Sequence, residues 1–445
     1  MTGSFTFDAN KCTGCGACRV ACTIENGLAP DVSWRRIETF NPQRRAIAPV
    51  FHLSLACNHC ATAACMNACP ALAYRRDDAT GAVLLDSSLC IGCGYCSWAC
   101  PYDAPVFDEA AGVMTKCTWC ADRLKAGLEP SCAVHCPTGA LGFSDVPPAT
   151  RLTALWGLPV TDLQPSLHVI PLNTSVPVMT ACADDATDPL GAASNSQAPG
   201  RQPGISLRRE WPLAVFTFGA AVLVALVSAA AAGAMSILAA PFIVAAAGVM
   251  GIAGAHLGRK DRAWRAILNV RRSWLSREIV VMSIFVAVAS AWLSWRPGSS
   301  ALGWVAALAG FAGLFCADSV YAVLPGGPGY RHSAGVTTTG ASLAAVIAGN
   351  LVLAAAVIGL KAWLFFGSGE ERRTWPLVAA IRGGAGFVAP LTLLLAGQRA
   401  GAIACLLLGE AIGRCEYYLQ LAKRTPREEM DAVLGELARL NPHPQ

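Results

Sequence analysis

The pattern of apolar and polar positions divides the chain into two parts of different kind. Before residue 145, three short stretches alternate apolar and polar side chains as half-buried strands do, at residues 5–11, 50–55 and 81–86. Beyond residue 210 the apolar runs are long, and the first two, 211–230 and 236–255, carry no charge over a length that crosses a bilayer. The pattern predicts an α+β unit followed by an all-α polytopic membrane bundle.

The second part contains seven runs that we count as clear spans. After the first two come 279–295, 301–317, 340–360, 375–395 and 401–421, the last two of which hold Arg382 and Glu410, Arg414 and Glu416. A break at residues 349–350 would split 334–367 into a hairpin and give an eighth span. Because about twenty residues are needed for each span, that region is short for two. The expected count is therefore seven to eight.

Cysteine spacing gives the first part its chemistry. Sixteen of the twenty cysteines fall into four sets, each opening with two cysteines separated by two residues. We number the sets in chain order: set I is Cys12, Cys15, Cys18 and Cys22; set II is Cys57, Cys60, Cys65 and Cys69; set III is Cys90, Cys93, Cys96 and Cys100; set IV is Cys117, Cys120, Cys132 and Cys136.

This spacing is typical of [4Fe-4S] ligation. The closely spaced thiolates turn inward on one loop to reach neighbouring irons, whereas the fourth, usually followed by proline, ligates the other cluster of a pair. Proline follows Cys69, Cys100 and Cys136, but Thr23 follows Cys22. Four sets predict four [4Fe-4S] clusters with these sixteen cysteines as iron ligands. Sets II and III are nested between I and IV, so we expect I and IV to exchange their last cysteines, and II and III likewise.

Two other uses of cysteine are weaker. Structural zinc sites usually show two separated pairs, rather than three close cysteines followed by Cys-Pro. Disulfides need an oxidising compartment, and residues 1–5 do not open a basic-then-apolar secretory leader.

Hydrophobic residues make up 54% and charged residues 14% of the chain, which supports a membrane region. The net charge of +5, without a basic stripe interleaved with aromatics, indicates no nucleic-acid partner.

These features divide the chain into four segments. We predict a ferredoxin-like four-cluster domain at 1–145, a Pro/Ala/Ser-rich linker at 146–210, a transmembrane bundle at 211–421 and an amphipathic tail at 422–445. The tail opens with a capping box, Thr425-Pro-Arg-Glu, before an apolar stripe.

Charge favours one orientation. The segment 258–278 holds seven Lys and Arg residues against Asp261 and Glu278, so it belongs in the cytoplasm. Two spans separate it from the linker, which places the iron-sulfur domain on the same face. A docking role for the basic segment, or export of the folded complex through a partner's twin-arginine signal, would overturn this assignment. We expect a multi-pass protein of a prokaryotic inner (cytoplasmic) membrane.

Several motifs resemble known subunits. The first part resembles the iron-sulfur subunit of dimethyl sulfoxide reductase-type molybdoenzymes, and the membrane part resembles the anchor subunit, whose role is quinol binding. The resemblance implies a fusion of two usually separate subunits, eight spans, and four cubanes, because set III keeps a cysteine where some relatives have tryptophan. The motifs are Cys12-Thr-Gly-Cys-Gly-Ala-Cys, Val32-Ser-Trp-Arg-Arg-Ile, Cys57-Asn-His-Cys, Cys90-Ile-Gly-Cys-Gly-Tyr-Cys, Ala99-Cys-Pro-Tyr and Met114-Thr-Lys-Cys, then His256-Leu-Gly, Arg262-Ala-Trp-Arg-Ala, Ser273-Trp-Leu-Ser-Arg-Glu-Ile and Gly409-Glu-Ala-Ile-Gly-Arg.

Three polar residues near the membrane edge are candidates for a quinone site. His256 closes the second span, Glu278 opens the third, and Arg262 lies between them in sequence. A histidine and a carboxylate there would accept the two protons that quinol oxidation releases. The alternative, which stays open, is that His256 caps a helix and Glu278 pairs with arginines of the basic segment.

The other polar residues of the spans receive structural roles or none. Glu410 and Arg414, four apart on one helical face, predict an intramembrane ion pair. Asp318 and Arg382 stay unassigned. The spans hold no second histidine at membrane depth, so no b-type heme is expected.

Together these expectations describe an electron-transfer and membrane-anchor subunit of a molybdopterin oxidoreductase complex. Electrons would pass between the membrane quinone pool and a separate catalytic subunit through four [4Fe-4S] clusters. We can assign no segment to molybdopterin, so the molybdenum site belongs to another polypeptide. Two alternatives remain: the reverse direction, as in a quinone-reducing, sulfite-oxidising complex, and a membrane-tethered iron-sulfur sensor.

Overall fold

The computed structural model describes residues 3–147, 155, 158–159, 161–173, 207–295, 300–324, 332–367, 376–421 and 425–440. The chain forms two compact units. The first comprises Met1–Gln202 together with Arg424–Gln445, and the second is Pro203–Lys423. Most of the predicted linker, 146–210, lies outside the described residues.

Short strands and short helices build the cysteine-rich part of the first unit. The strands are β1 Ser4–Asp8, β2 Arg36–Phe40, β3 Phe51–Leu55, β4 Tyr74–Arg76, β5 Val83–Leu85, β6 Val106–Asp108, β7 Val113–Thr115, β8 Leu141–Ser144 and β9 Leu167–Ile170. The helices are α1 Ala17–Glu25, α2 Ala64–Ala68, α3 Tyr95–Trp98, α4 Ala121–Lys125 and α5 Ser131–Val134. The three strands predicted before sets I, II and III are confirmed as β1, β3 and β5.

A three-stranded sheet closes this unit. Strand β1 pairs antiparallel with β8 and parallel with β9, while β2–β3, β4–β5 and β6–β7 are antiparallel hairpins. Both Phe5 and Phe7 of β1 are buried, and Phe5 packs edge-on against Trp119 and Phe143. Strand β9 lies inside the stretch that we predicted as linker, so the ferredoxin-like unit continues beyond residue 145.

Nine helices of the described residues make the second unit. They are α6 Leu207–Ala231, α7 Ala239–Ala253, α8 Trp274–Trp295, α9 Ser300–Val320, α10 Val336–Ala348, α11 Leu351–Gly367, α12 Pro376–Arg382, α13 Ala389–Leu395 and α14 Arg399–Gln420. Among the described residues, five stretches are long and apolar enough to cross a membrane: Glu210–Ala231, Ala239–His256, Trp274–Trp295, Ser300–Val323 and Pro376–Leu395. The last joins α12 to α13 through a π-helical segment, Gly383–Val388.

The chain reverses between α10 and α11. On one straight helix, residues 339 and 361 would lie about 33 Å apart, yet Lys361 Nζ donates a hydrogen bond to Thr339 Oγ1 at 2.8 Å. Gly349, with a φ of +70°, ends α10, and the Asn350 side chain caps the first turn of α11. The prediction of a single span over 340–360 is therefore wrong, because local capping groups satisfy the backbone at the turn.

The remaining helix, α15 Pro426–Leu440, belongs to the first unit. The predicted capping box is present: Glu428 accepts from the Thr425 N–H at 3.0 Å, and Thr425 Oγ1 accepts from the Glu428 N–H at 3.3 Å. Met430 and Leu434 join the hydrophobic core of the iron-sulfur unit. The apolar stripe of the tail thus packs on that unit.

Candidate functional site

All four cysteine loops share one backbone conformation. The residue before the second cysteine has a positive φ in every set, which turns the chain so that a backbone N–H points at the first cysteine's sulfur. These residues and their φ angles are Gly14 (+70°), His59 (+44°), Gly92 (+69°) and Trp119 (+63°). Their N–H groups donate to the sulfurs of Cys12, Cys57 (3.5 Å), Cys90 (3.4 Å) and Cys117 (3.3 Å), respectively.

The last cysteine of set I departs from the other three. In sets II to IV, a backbone N–H four or five residues later donates to its sulfur: Ala73 to Cys69 (3.4 Å), Ala104 to Cys100 (3.5 Å) and Leu141 to Cys136 (3.4 Å). Cys22 instead lies inside α1, where a proline at position 23 would break the helix. Its donor is the Asn26 side-chain amide, 3.8 Å from the sulfur. Thr23 therefore lets α1 continue past Cys22, and Asn26 supplies the hydrogen-bond donor that a backbone N–H supplies in the other sets.

The sulfurs assemble into four groups that the nesting of the sets predicts. Group A lines one cavity and group C another. Electrostatic interactions join Cys22 to Cys132 and Cys120 in group B, and Cys69 to Cys90 and Cys93 in group D. Within the described residues, no group converges on the position of a single metal ion. The groups are A, Cys12, Cys15, Cys18 and Cys136; B, Cys22, Cys117, Cys120 and Cys132; C, Cys57, Cys60, Cys65 and Cys100; and D, Cys69, Cys90, Cys93 and Cys96.

Burial opposes ionisation of several of these thiols. Burial raises the pKa of Cys22 to about 12, against the opposing charge of Arg35. Burial, followed by the charge of neighbouring cysteines, also raises the pKa of Cys60 and Cys65. Cysteine binds metal as the thiolate. A positive group among the sulfurs is therefore needed to hold them in the ligating form, and iron would supply it.

Two buried cations test whether a cluster fits. Arg35 is 2% exposed; its Nη1 donates to Ser54 Oγ at 3.0 Å, but Nε and Nη2 have no hydrogen-bond partner among the described residues. Lys116 is 3% exposed and forms no ion pair with a carboxylate in the described part of the chain. An uncompensated buried charge is costly. Both cations face cysteine sulfurs, so a negatively charged thiolate-bound cluster fits this environment.

Three buried side chains, those of Arg35, Lys116 and Tyr74, connect the groups in the order A, B, C, D. Arg35 interacts with Cys18 of group A and with Cys22, Cys117 and Cys132 of group B. Lys116 interacts with Cys117 of B and with Cys57 and Cys65 of C, and Tyr74 interacts with Cys65 of C and Cys96 of D.

Beside Lys116, the rings of His59 and Trp119 stack with centroids 4.6 Å apart and planes 14° apart. His59 Nδ1 accepts a hydrogen bond from the Val83 N–H at 3.0 Å. Burial, and then the charges of Lys116, Arg76 and Arg35, lower the pKa of His59 well below its usual value. The imidazole is therefore neutral, and the stack fills the space between the loops of sets II and IV.

The three quinone-site candidates lie on different elements. His256 ends a 3-10 turn after α7 and is half-buried, with its ring near the backbone of Ala253 one turn earlier. Arg262 lies on a 3-10 helix, Lys260–Ile267, with Nε 3.7 Å from Asp261 Oδ2. Glu278 is buried in α8, within electrostatic range of Arg414 and Asp318. Its charged neighbours thus come from α14 and α9.

The predicted ion pair between Glu410 and Arg414 is wrong. Glu410 Oε2 instead lies 2.7 Å from Lys361 Nζ and accepts from Thr339 Oγ1 at 2.7 Å. Arg414 donates to Thr217 Oγ1 at 2.9 Å, and its guanidinium lies over the rings of Tyr321, Tyr417 and Tyr418. The helical spacing was right, but a lysine from another helix lies closer.

The two residues left unassigned also have partners. Arg382 pairs with Glu416 at 3.1 Å and donates to Ser333 Oγ at 2.6 Å. Asp318 accepts from the N–H groups of Val336 (2.8 Å) and Thr337 (3.0 Å), and so caps the start of α10. Both contacts join separate helices of the bundle.

Sequence reasoning missed three buried cations. Arg35 and Lys116 stand in motifs that carried the resemblance, but their spacing to cysteines gave them no role. Lys361 follows an uncharged run and therefore reads as a loop residue. The signal that was available is a lone cation bordered by apolar or cysteine-rich sequence.

Comparison with known proteins adds matches to both units. A family described as 4Fe-4S dicluster domain matches residues 48–146, and one described as DMSO reductase anchor subunit (DmsC) matches residues 208–362. One chain of the anaerobic dimethyl sulfoxide reductase of Haemophilus influenzae is 40% identical over 184 residues, which cover 38% of this protein and 88% of that relative. The corresponding chain of the Escherichia coli reductase is 41% identical over 151 residues, 32% of this protein and 73% of that relative. One component of the sulfite dehydrogenase of Allochromatium vinosum is 36% identical over 165 residues, 32% and 68% of the two proteins.

Proposed function

This protein belongs to the same family as these dimethyl sulfoxide reductase relatives, with a DmsC-type anchor region fused behind the iron-sulfur unit, and we propose that it carries electrons between membrane quinone and a molybdenum-containing catalytic subunit. The coarse role, an electron-transfer and membrane-anchor subunit, follows from the family. The observation that carries the finer proposal is the assembly of sixteen cysteines into four groups joined in one line by Arg35, Lys116 and Tyr74.

We propose that groups A to D each hold one [4Fe-4S] cluster. When bound, the clusters supply one-electron carriers, so that a two-electron donor can be oxidised in single steps. The protein's own residues provide the thiolates, the N–H donors to sulfur and the two buried cations. Neighbouring groups share a cation or a buried ring, which supports a single line of transfer.

The quinone site that we propose uses His256, Arg262 and Glu278. Support comes from His256, a titratable side chain that ends the apolar stretch Ala239–His256, and from Glu278, a carboxylate buried within the apolar stretch Trp274–Trp295. In quinol oxidation, His256 and Glu278 would each take one proton as two electrons leave. Arg414 and Asp318, which Glu278 faces, would then help to set its charge.

We further propose eight crossings of the inner membrane, with the iron-sulfur unit on the cytoplasmic face. The helical reversal at Gly349 adds a segment to the seven predicted spans, and an even number suits the basic residues Lys423, Arg424 and Arg427 after α14. The direction of electron flow stays open between a reductase of sulfoxide type and a quinone-reducing dehydrogenase. The similarity to a component of a sulfite dehydrogenase is the observation that favours the dehydrogenase direction.

Redox-poised electron paramagnetic resonance on membranes containing the complex tests this function. We expect four interacting [4Fe-4S] signals, reduction of the clusters by a quinol analogue, and loss of that reduction in His256→Ala with the signals intact. Arg259→Ala, which removes an exposed arginine paired with Asp261 at 3.0 Å, is the control. If quinol does not reduce the clusters of the native complex, the sensor alternative is favoured. If no cluster signals are present, the zinc alternative is favoured.

A further inference from the structure

The junction between groups B and C is held together by Lys116. We propose that Lys116 is a potential-setting residue, whose charge raises the reduction potentials of the B and C clusters together and so matches them for transfer from one pair to the other. The inference rests on the proposed four-cluster function and assigns a residue to its central step.

The position of the ammonium group follows from its hydrogen bonds. Lys116 Nζ donates to the carbonyl oxygen of Cys117 at 2.8 Å and to that of Val83 in β5. One carbonyl belongs to the loop of set IV and the other to the strand that also binds His59 of set II. The lysine head is therefore fixed between the two loops rather than free to follow either.

The groups that interact electrostatically with this ammonium group are cysteine sulfurs. Lys116 interacts electrostatically with Cys57, Cys65 and Cys117, and Cys57 interacts with Cys117 across the junction. No carboxylate pairs with Lys116 in the part of the chain that the structure describes. The stacked and buried rings of His59 and Trp119 fill the adjoining space. The lysine charge thus acts on groups B and C without a nearer anion to cancel it.

The physical effect has a definite sign. Reduction adds one negative charge to a cluster, and a fixed cation in a buried region of low dielectric stabilises the reduced form. Because one ammonium group lies against sulfurs of both B and C, its removal lowers both potentials. Groups A and D lie beyond Arg35 and Tyr74 on either side, so their potentials change least.

The test is a potentiometric titration of the intact membrane complex, followed by electron paramagnetic resonance, for Lys116→Met and Lys116→Gln. Methionine removes the charge and the hydrogen bonds, whereas glutamine removes the charge and keeps a donor for a carbonyl. Lys125→Met is the matched control, since Lys125 is half-exposed and pairs with Asp77 at 3.1 Å. Cys120→Ser and Cys60→Ser identify the signals of B and C.

We expect two of the four midpoint potentials to fall in both variants, those of B and C, with the iron content unchanged and with Lys116→Arg close to the native values. Unchanged potentials in Lys116→Gln with full iron content would overturn the inference, as would an equal shift of all four clusters. If Lys116→Met loses iron, Lys116→Gln decides. Fewer than four signals in the native complex would instead count against the proposed function itself.

Discussion

The two units bury positive charge in different ways. In the iron-sulfur unit, Arg35 and Lys116 are buried with no carboxylate partner among the described residues. In the helical unit, Lys361 and Arg382 are equally buried, but each pairs with a glutamate, at 2.7 and 3.1 Å. Since a buried ion needs compensation in either place, Arg35 and Lys116 indicate an anionic ligand in the first unit, whereas Lys361 and Arg382 have their counter-charges within the second. Arg414 of the second unit differs from that pair, because it donates to Thr217 and lies over three tyrosine rings.

The largest expected difference between the units is their response to loss of iron. Chelation of the clusters leaves Arg35, Lys116 and the crowded sulfurs without compensation, in a unit built from strands of three to five residues. We expect amide hydrogen exchange to show lost protection in β1–β9 and unchanged protection in α6–α14, with mock-treated complex as the control. Retained protection in the first unit without iron would contradict this comparison.

Breaking the buried ion pair between Lys361 and Glu410 in the helical unit should have the next largest effect. Lys361→Met or Glu410→Leu alone leaves one buried charge, and we expect each to lower the free energy of unfolding by about 3–5 kcal/mol. The double variant removes both charges, so it should be more stable than either single variant. Denaturant unfolding of the purified complex measures this.

The exposed pair of Arg259 and Asp261 supplies the control for that measurement. Asp261 Oδ2 lies 3.0 Å from Arg259 Nη2, and the Asp261 side chain is 60% exposed. Asp261→Asn should therefore leave the free energy of unfolding close to the native value, because solvent screens an exposed pair. Additive losses in the Lys361 and Glu410 double variant would mean that the two charges do not compensate each other.

A change confined to one cluster comes third. Cys100 belongs to set III but lines the cavity of group C with Cys57, Cys60 and Cys65. Cys100→Ser should therefore abolish or alter the signal of that cluster and leave the cluster of Cys90, Cys93 and Cys96. Electron paramagnetic resonance and iron analysis measure the change, and Cys316→Ser in α9 is the control. Loss of the group D signal alone would reverse the pairing.

The smallest effect is expected at Asn26. Its amide is a neutral donor 3.8 Å from Cys22 Sγ, so Asn26→Leu should lower only the group B potential, by less than Lys116→Met does. Thr118→Val, which removes the hydroxyl 3.5 Å from Asn26 Oδ1, should have a smaller effect in the same direction. A shift of the other potentials in Asn26→Leu would show that the amide acts through the fold rather than through the sulfur.

The sequence predictions that succeeded depend on patterns within short stretches of the chain. Cysteines two or three residues apart share a loop, and an uncharged run of about twenty residues fits a bilayer, so neither feature depends on distant parts of the chain. Nesting of the sets was enough to expect which last cysteine joins which group. The departure at Thr23 was visible, but its cause was not, because the replacement donor is the side chain of the residue that caps the end of α1.

The order of amino acids alone was enough to specify the two kinds of unit, the sixteen cysteines and the family. Which charges face one another is a property of the packed chain: Glu410 meets Lys361 rather than Arg414, Glu278 faces Arg414 and Asp318, and Lys116 sits between two cysteine groups. The difference is one of range. Hydrogen bonding and helix periodicity act over a few residues, whereas the partner of a buried charge is whichever opposite charge packing brings near, and that depends on reversals such as the one at Gly349.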